Sequence, residues 1–341
     1  MTYGILAFGA YVPRLRLQRK AIADAHGWFN AALKGQGKGE RAIANWDEDA
    51  VTMAVEAARD CLTGQDASRI EAVQMASTTF PFLDRLNSGV VAEALNLGQD
   101  IGASDAGQTQ RAATSALMSA LRGGPSTLLV AAEKRPVKAA SPMEMTAGDG
   151  AAAQLVGEGR PVATLLAAVT RTRDFVDHYR TPESEFDYQW EERWIRDAGY
   201  MPLVPPAVKA CLAKAGLAPD QVTRFCMPAV LAKVANSVAK AAGIADAAVA
   251  DNLHAVCGET GAAHPLVMLV AALEEAKPGD RIMVVGFGQG ADVLLFEVTD
   301  ALADLPARLG VKGHLARRRE ETNYSKFLAF NDTIELERGM R

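Results

Sequence analysis

Long apolar runs, basic stretches and paired cysteines are all scarce in this sequence, and each scarcity removes a class of function. The longest hydrophobic stretches fall well short of the ~20 residues a membrane span needs. The opening strand-like residues, Tyr3 to Phe8, carry no signal-peptide charge pattern. Acidic residues outnumber basic ones, 41 against 36, and no basic run is long enough to track a phosphate backbone. Membrane and nucleic acid are therefore not expected as partners. Four cysteines, Cys61, Cys211, Cys226 and Cys257, are scattered without a CxxC pair. That spacing argues against both zinc and a disulfide framework, predicts no metal site, and makes a reducing cytoplasm the default.

What the chain does have is bulk and alternation. With 341 residues and 49% hydrophobic content it can bury a large core, as two domains or as a pair of fused halves. Residues 3 to 12 read as a first strand, and a helix is expected from Arg19 to about Ala31, followed by a Gly/Lys-rich loop at 34–40. Asp47, Glu48 and Asp49 supply acidic first-turn residues to a helix whose Val51, Ala54, Ala58 and Leu62 keep helical spacing. Strands at 70–76 and 126–132 bracket a helix from about Ser88 to Leu97 and a strand-to-helix elbow, Asp105 to Leu117. This βαβα order predicts an α/β protein with a mostly parallel sheet. Gly148-Asp149-Gly150, with Asp149 holding a turn, opens a small-residue strand at 151–157, and 161–172 reads as its successor. Thr181 to Trp194 differs in kind. It is rich in aromatic and acidic residues, and reads equally as a binding-mouth excursion or an aromatic-anchored surface helix.

The second half repeats the first. Ala54 to Leu62 followed by Ile70 to Val73 matches Ala207 to Leu212 followed by Val222 to Phe225. In the same order, Val90 to Leu97 answers Val234 to Ala242, the elbow answers Cys257 to His264, and Ser126 to Ala132 answers Arg281 to Phe287. Two such units, each too small to close its own core, are expected to pack face to face with a site at their junction. At the first elbow the displayed side chain, at the N-terminus of a small-residue helix, is Gln110.

Several runs carry a family resemblance in the right order: Gly9-Ala10-Tyr11-Val12-Pro13-Arg14, Asn45 to Ala57, Val91 to Leu95, and Pro278 to Ile282 followed by Gly286-Phe287-Gly288. Over roughly residues 3 to 300 the chain resembles thiolase-superfamily proteins of the hydroxymethylglutaryl-CoA synthase and 3-oxoacyl-ACP (ketoacyl) synthase III branch. The resemblance implies a thiolase-like fold of duplicated halves in a five-layered αβαβα sandwich. Residues 1–165 would form the first half, 166–200 an excursion, 201–300 the second half and 301–341 a C-terminal tail able to dock a partner.

Carried over residue by residue, the resemblance puts the branch's nucleophilic cysteine on Gln110, its histidine on Cys226, its asparagine on Glu259 and its general-acid glutamate on Thr78. A glutamine amide cannot become an anionic nucleophile near neutral pH, which excludes ping-pong acyl transfer through Gln110. Retro-aldol or decarboxylative cleavage needs only a base and an oxyanion hole. The second elbow offers His254, Cys257, Glu259 and His264 for such proton transfer, although His264 before Pro265 also reads as a helix cap, and Cys226 and Cys257 as buried small residues.

The implied ligand is a coenzyme A thioester or acyl carrier, with Arg14, Arg111 and Arg135 as its basic contacts. Three functions follow: C-C bond chemistry without an acyl-cysteine inside a multi-subunit complex, a non-catalytic subunit with a pseudo-active site, or a Gln-type thioester decarboxylase. The implied partners are a second copy, or a cysteine-bearing thiolase with a zinc-ribbon/OB-fold protein. Tyr324, Phe327, Leu328 and Phe330 in the tail must dock on this chain or on another. The run Arg317 to Arg319 reads as a solvated helix face or a contact for coenzyme A phosphates.

Overall fold

A computed structural model describes residues 2–337 of the chain. Nine strands form its main sheet: β1 (Thr2–Tyr11), β2 (Ala72–Ala76), β3 (Gly102–Ala106), β4 (Thr127–Glu133), β5 (Gly150–Gly159), β6 (Ala163–Thr172), β7 (Arg224–Cys226), β8 (Arg281–Phe287) and β9 (Gly290–Val298). Their order is β7-β8-β9-β6-β1-β5-β4-β2-β3. Read outward from the middle, β1-β5-β4-β2 is answered by β6-β9-β8-β7, so the repeat in the sequence is a repeat in topology. Within the main sheet the pair Ile5 with Ala163 joins β1 to β6, and a further bridge, Ala147 with Glu259, links the halves at the second elbow.

The sheet is not mostly parallel. Among the described residues three of its strand pairings are parallel and five antiparallel. The return strands are responsible: β8 and β9 are joined through Gly288 and Gln289, and so short a link closes only an antiparallel pair.

Four helices build the layers. In α1 (Ala50–Cys61) the Asp49 carboxylate accepts the Thr52 N–H at 2.8 Å while the Thr52 hydroxyl oxygen accepts the Asp49 N–H at 2.7 Å; Asp47, Glu48 and Asp49, expected in the first turn, precede the helix, Asp49 as its cap. It covers β1, β5 and β4 from outside, and α3 (Met201–Ala215) does the same for β6 and β9. Between the halves lie α2 (Ala112–Ala120) and α4 (His264–Glu275), each touching strands of both. The stacking is therefore α-β-α-β-α, and the close-packed strand Ala151-Ala152-Ala153 is wholly buried within it.

Two local expectations need correction. The helix begun at Arg19 ends at His26, and a separate tight turn, Ala31–Gln36, follows, because the Asn30 side chain accepts the Ala32 N–H at 3.2 Å and starts it afresh. The arginine run is not one helix face: Arg319–Glu321 is a short strand paired with Leu15–Gln18, and Arg318 binds Glu40 at 2.6 Å.

The tail's apolar group docks on this chain. In the helix Tyr324–Phe330, Phe327 is 1% exposed and lies under the Arg41 guanidinium at 4.8 Å. The Tyr324 hydroxyl donates to Glu144 at 2.5 Å. Residues 338–341 of the expected docking segment lie outside the described residues. Phe327→Ala empties this site and is expected to cost about 3–5 kcal/mol, read as a lower urea midpoint with an unchanged slope; an unaltered midpoint would show that the tail contributes nothing to the fold.

Candidate active site

Where β3 ends, Gln108 adopts a φ of 67°, an uncommon conformation for a residue with a side chain, and the chain turns into α2. The Thr109 hydroxyl donates to the Gly288 carbonyl at 2.9 Å, tying the elbow to the β8–β9 hairpin. A Cβ at Gly288 would stand 2.9 Å from the Gln110 nitrogen, so only glycine allows this approach.

The Gln110 amide nitrogen then lies 3.4 Å from the Thr78 hydroxyl and 3.3 Å from Nε2 of His178. Behind Thr78 sits Glu133, fully buried at the end of β4. It accepts the Thr78 N–H at 2.6 Å and the hydroxyls of Thr78 and Thr79 at 3.0 and 2.8 Å. Burial pushes the Glu133 carboxyl up, against the pull of Arg135 and these donors.

His178 comes from the short hairpin His178–Tyr179/Tyr188–Gln189, and its Nδ1 lies 2.9 Å from the Asp177 carboxylate. With the Gln110 amide oriented as it stands, its nitrogen can only donate, and the Asp177 carboxylate oxygen is the acceptor facing Nδ1. Nδ1 therefore carries the proton and Nε2 presents its lone pair toward Gln110.

A charge network holds the hairpin in place. Buried Arg135 meets Asp187 at 2.5 Å and Glu259 at 3.5 Å, while Arg180 meets Asp187 at 3.1 Å and donates to the Thr78 carbonyl at 2.6 Å. Burial pushes the Asp187 carboxyl up, but Arg135, His178 and Arg180 outweigh it and hold it below the usual carboxylate range.

Two hollows meet here. One of about 80 Å³ is lined by Gln110, Arg135, Asp177, His178, Tyr200 and Glu259, among others. The other, about 730 Å³, is lined by Thr78, Phe82, Arg85, Thr109, His178 and Arg180, among others. His178 belongs to both.

Of the sequence-derived candidates, Thr78, Gln110 and Glu259 reach these hollows, whereas Cys226, His254, Cys257 and His264 do not. Cys226 is fully buried in the core, its thiol against the Met268 carbonyl, and burial pushes it up to about 12. His264 is also fully buried. Its Nδ1 accepts the Thr260 N–H at 3.0 Å and its Nε2 lies 2.7 Å from the Asn252 carbonyl, so it stands as a neutral cap while Pro265 lines the smaller hollow.

Burial pushes Cys61 and Cys257 up to about 12 and Cys211 up to about 11. No cysteine lines either hollow. Among the described residues no cluster of His, Cys, Asp and Glu could hold a metal ion, and no helix is long and apolar enough to cross a membrane.

The basic residues separate as well. Arg14 is exposed and lines neither hollow, and Arg111 is consumed by Asp292 at 2.9 Å, the Gly288 carbonyl and Thr170. Arg135 lines the smaller hollow inside its ion pairs. Arg85 and Arg180 of the wider one, and the pair Asp177-His178, were missed in the sequence. The signal was an acidic residue beside a histidine at the head of the aromatic excursion.

Comparison with known proteins places this geometry. The model for the C-terminal region of 3-oxoacyl-[acyl-carrier-protein] synthase III matches residues 212–294. The hydroxymethylglutaryl-CoA synthase of Methanosarcina mazei is 30% identical, with 98% of this chain and 100% of that protein covered. The chain belongs to the hydroxymethylglutaryl-CoA synthase family. The enzyme of that name from Aeropyrum pernix is also 30% identical, over 95% of this chain and 92% of its own length.

Solved structures agree on the fold. MvaS in complex with 3-hydroxy-3-methylglutaryl coenzyme A superposes with a TM-score of 0.81 at 20% identity, covering 96% of this chain and 91% of that one. For the 3-oxoacyl-(acyl carrier protein) synthase III of Pseudomonas aeruginosa the TM-score is 0.77 at 20% identity, with 88% and 98% covered. The expected thiolase-like α/β fold is the fold found, and the relatives named above are hydroxymethylglutaryl-CoA synthases.

Two outcomes follow from the site's electrostatics. Asp187→Ala leaves the buried Arg135 short of its nearest carboxylate; the expected cost is about 3–5 kcal/mol, with limited proteolysis newly cutting within 177–194. Intact 177–194 under conditions that cleave other loops would remove the network's role. Secondly, burial holds His254 down to about 2, helped by His264 and Arg19, and also lowers His264. Their folded values lie below the unfolded ~6.5, so the unfolded chain binds protons that the native one refuses. Stability is thus present above ~6.5 and falls as pH drops, each histidine contributing up to about 1.4 kcal/mol per pH unit. Urea midpoints measured from neutral to mildly acidic pH should decline, and less steeply in His264→Gln; an equal decline in both would refute the assignment.

Proposed function

We propose that this chain binds a coenzyme A thioester across the two hollows and makes or breaks a carbon-carbon bond beside its carbonyl, without forming an acyl-cysteine. The observation carrying this reading is that His178 borders both hollows, with Gln110 beside it in the smaller and Thr78 in the wider, while every cysteine is buried with its thiol pushed up. An acyl-enzyme requires a nucleophile that ionises within reach of the thioester. The elbow offers an amide in that place, able to hydrogen-bond an oxygen but not to attack a carbonyl.

The ligand class is supported by the relatives, one of which is described in complex with 3-hydroxy-3-methylglutaryl coenzyme A. It is also supported by the wider hollow, whose ~730 Å³ falls within the range typical of small-molecule sites. Arg85 stands on that hollow's wall, where Arg180 is paired with Asp187. The accessory-subunit reading starts from the same Gln110, but Gln110 lines a hollow and is not packed over, which favours chemistry over a vestigial pocket.

The test is calorimetric binding of acetyl-CoA followed by intact-mass measurement of the denatured protein. The expected result is binding with no acyl adduct on the natural chain, and an adduct on Gln110→Cys, whose thiol would sit at a helix N-terminus that favours the thiolate. An acyl adduct on the natural protein would overturn the non-covalent route. Absence of any binding would overturn the ligand assignment itself.

A further inference from the structure

We infer that His178, oriented by Asp177, is the catalytic residue that moves the proton at carbon 2 of the bound thioester, with the Gln110 amide holding the thioester oxygen. The inference rests on the proposed coenzyme A thioester and assigns the proton transfer to a residue outside both elbows.

The argument is geometric. Among the described residues His178 is the one titratable side chain within hydrogen-bond distance of the Gln110 side chain, with Nε2 at 3.3 Å from the amide nitrogen. Its other nitrogen is committed to Asp177 at 2.9 Å, which fixes the tautomer with the lone pair on Nε2. The side chains of His178 and Asp177 are only 15% and 14% exposed, and His178 lines both hollows, so the imidazole borders the space a ligand would occupy while its Nε2 meets the Gln110 amide.

The competing acid/base groups are buried or paired, apart from Glu192, which with Glu259 and Asp177 lines the smaller hollow. His264 is capped on both nitrogens, Glu133 is fully buried behind Thr78, and Glu259 faces Arg135. Gln110 Oε1 and Asp177 Oδ1 are buried with no hydrogen-bond partner among the described residues, although both residues line the smaller hollow. Unpaired buried oxygens are costly, and a site that keeps two of them fits a ligand bringing its own donors.

The amide hydrogen that now meets the His178 lone pair is the one a thioester oxygen would take. Once it does, Nε2 is free for the carbon-bound hydrogen beside that carbonyl. Nε2 removes the proton from carbon 2, and the C-H electron pair becomes the enolate with its charge on the thioester oxygen. Asp177 balances the imidazolium. Return of the proton from Nε2 to carbon 2 restores the thioester, so the step needs no oxidant, metal or second substrate. It is the half-reaction common to carbon-carbon bond formation and cleavage next to a thioester.

The experiment follows deuterium uptake into the methyl group of acetyl-CoA in D2O, by proton NMR, using the full chain across a range of pH, with acetyl-CoA binding measured in parallel. The natural protein is expected to catalyse exchange, with a rate that rises with pH as one group loses its proton. His178→Asn should lower the rate by about 10²–10⁴-fold and abolish that inflection while acetyl-CoA still binds. Asp177→Asn should slow exchange and move the inflection, because the amide no longer fixes the tautomer. Exchange by His178→Asn at the natural rate overturns the inference, as does a natural protein that binds acetyl-CoA but exchanges at no pH; in both cases the ligand reading survives. Failure to bind acetyl-CoA overturns both together.

Discussion

One buried guanidinium sets the geometry of the site. Arg135 is 7% exposed and cannot shed its proton, so it must be met by carboxylates where it lies. Three segments supply them: Glu133 from the end of β4, Glu259 from the second elbow and Asp187 from the excursion. Asp187 also engages Arg180, which donates to the Thr78 carbonyl, and Glu133 gathers the Thr78 and Thr79 donors. The demand of one charge for partners therefore draws both halves and the hairpin together around Gln110. His178 stands where it does because the hairpin carrying it is anchored at Asp187.

The outline of the fold was legible where local chemistry decides it. The Asp49/Thr52 cap marks the start of α1, the repeated pattern of helix and strand forecasts the two mirrored halves, and the elbow at Gln108 to Ala112 falls where the small-residue helix begins. Strand direction was not legible, because alternation of strands and helices is silent about returns such as the Gly288-Gln289 link. The helix over-extended beyond His26 for a related reason: the signal that stops it is Asn30 starting the next turn. In α4, residues from His264 to Leu273 are almost all buried, as a helix caught between two sheets must be, and one-faced periodicity cannot announce that.

The site was half legible. Gln110, Thr78 and Glu259 sit on elements that the resemblance aligns, and they do meet at the hollows. Their partners come from far along the chain: Arg135 and Asp187 are separated by 52 residues, Gln110 and His178 by 68. No spacing rule joins such pairs, since they are brought together by burial of charge and not by a repeating backbone geometry. Cys226 and His264 show the converse. Their residue types suggested chemistry, but full burial raises the thiol, lowers the imidazole and turns both away from open space.

An elbow that presents the Gln110 amide, which cannot carry an acyl group, constrains any reaction the site performs. A covalent acyl-enzyme stores one fragment on the protein while the other partner comes and goes. With Gln110 at the elbow nothing can be stored, so on the proposed route both fragments of the carbon-carbon bond must be present together, or be parts of one molecule cleaved in place. That requirement asks for room on two sides of the reacting carbonyl. A single narrow tunnel ending at Gln110 would fail it, whereas two hollows that share His178 satisfy it. It also asks that the base be reachable from either side, which a histidine on a hairpin between the hollows provides and one buried in α4 could not.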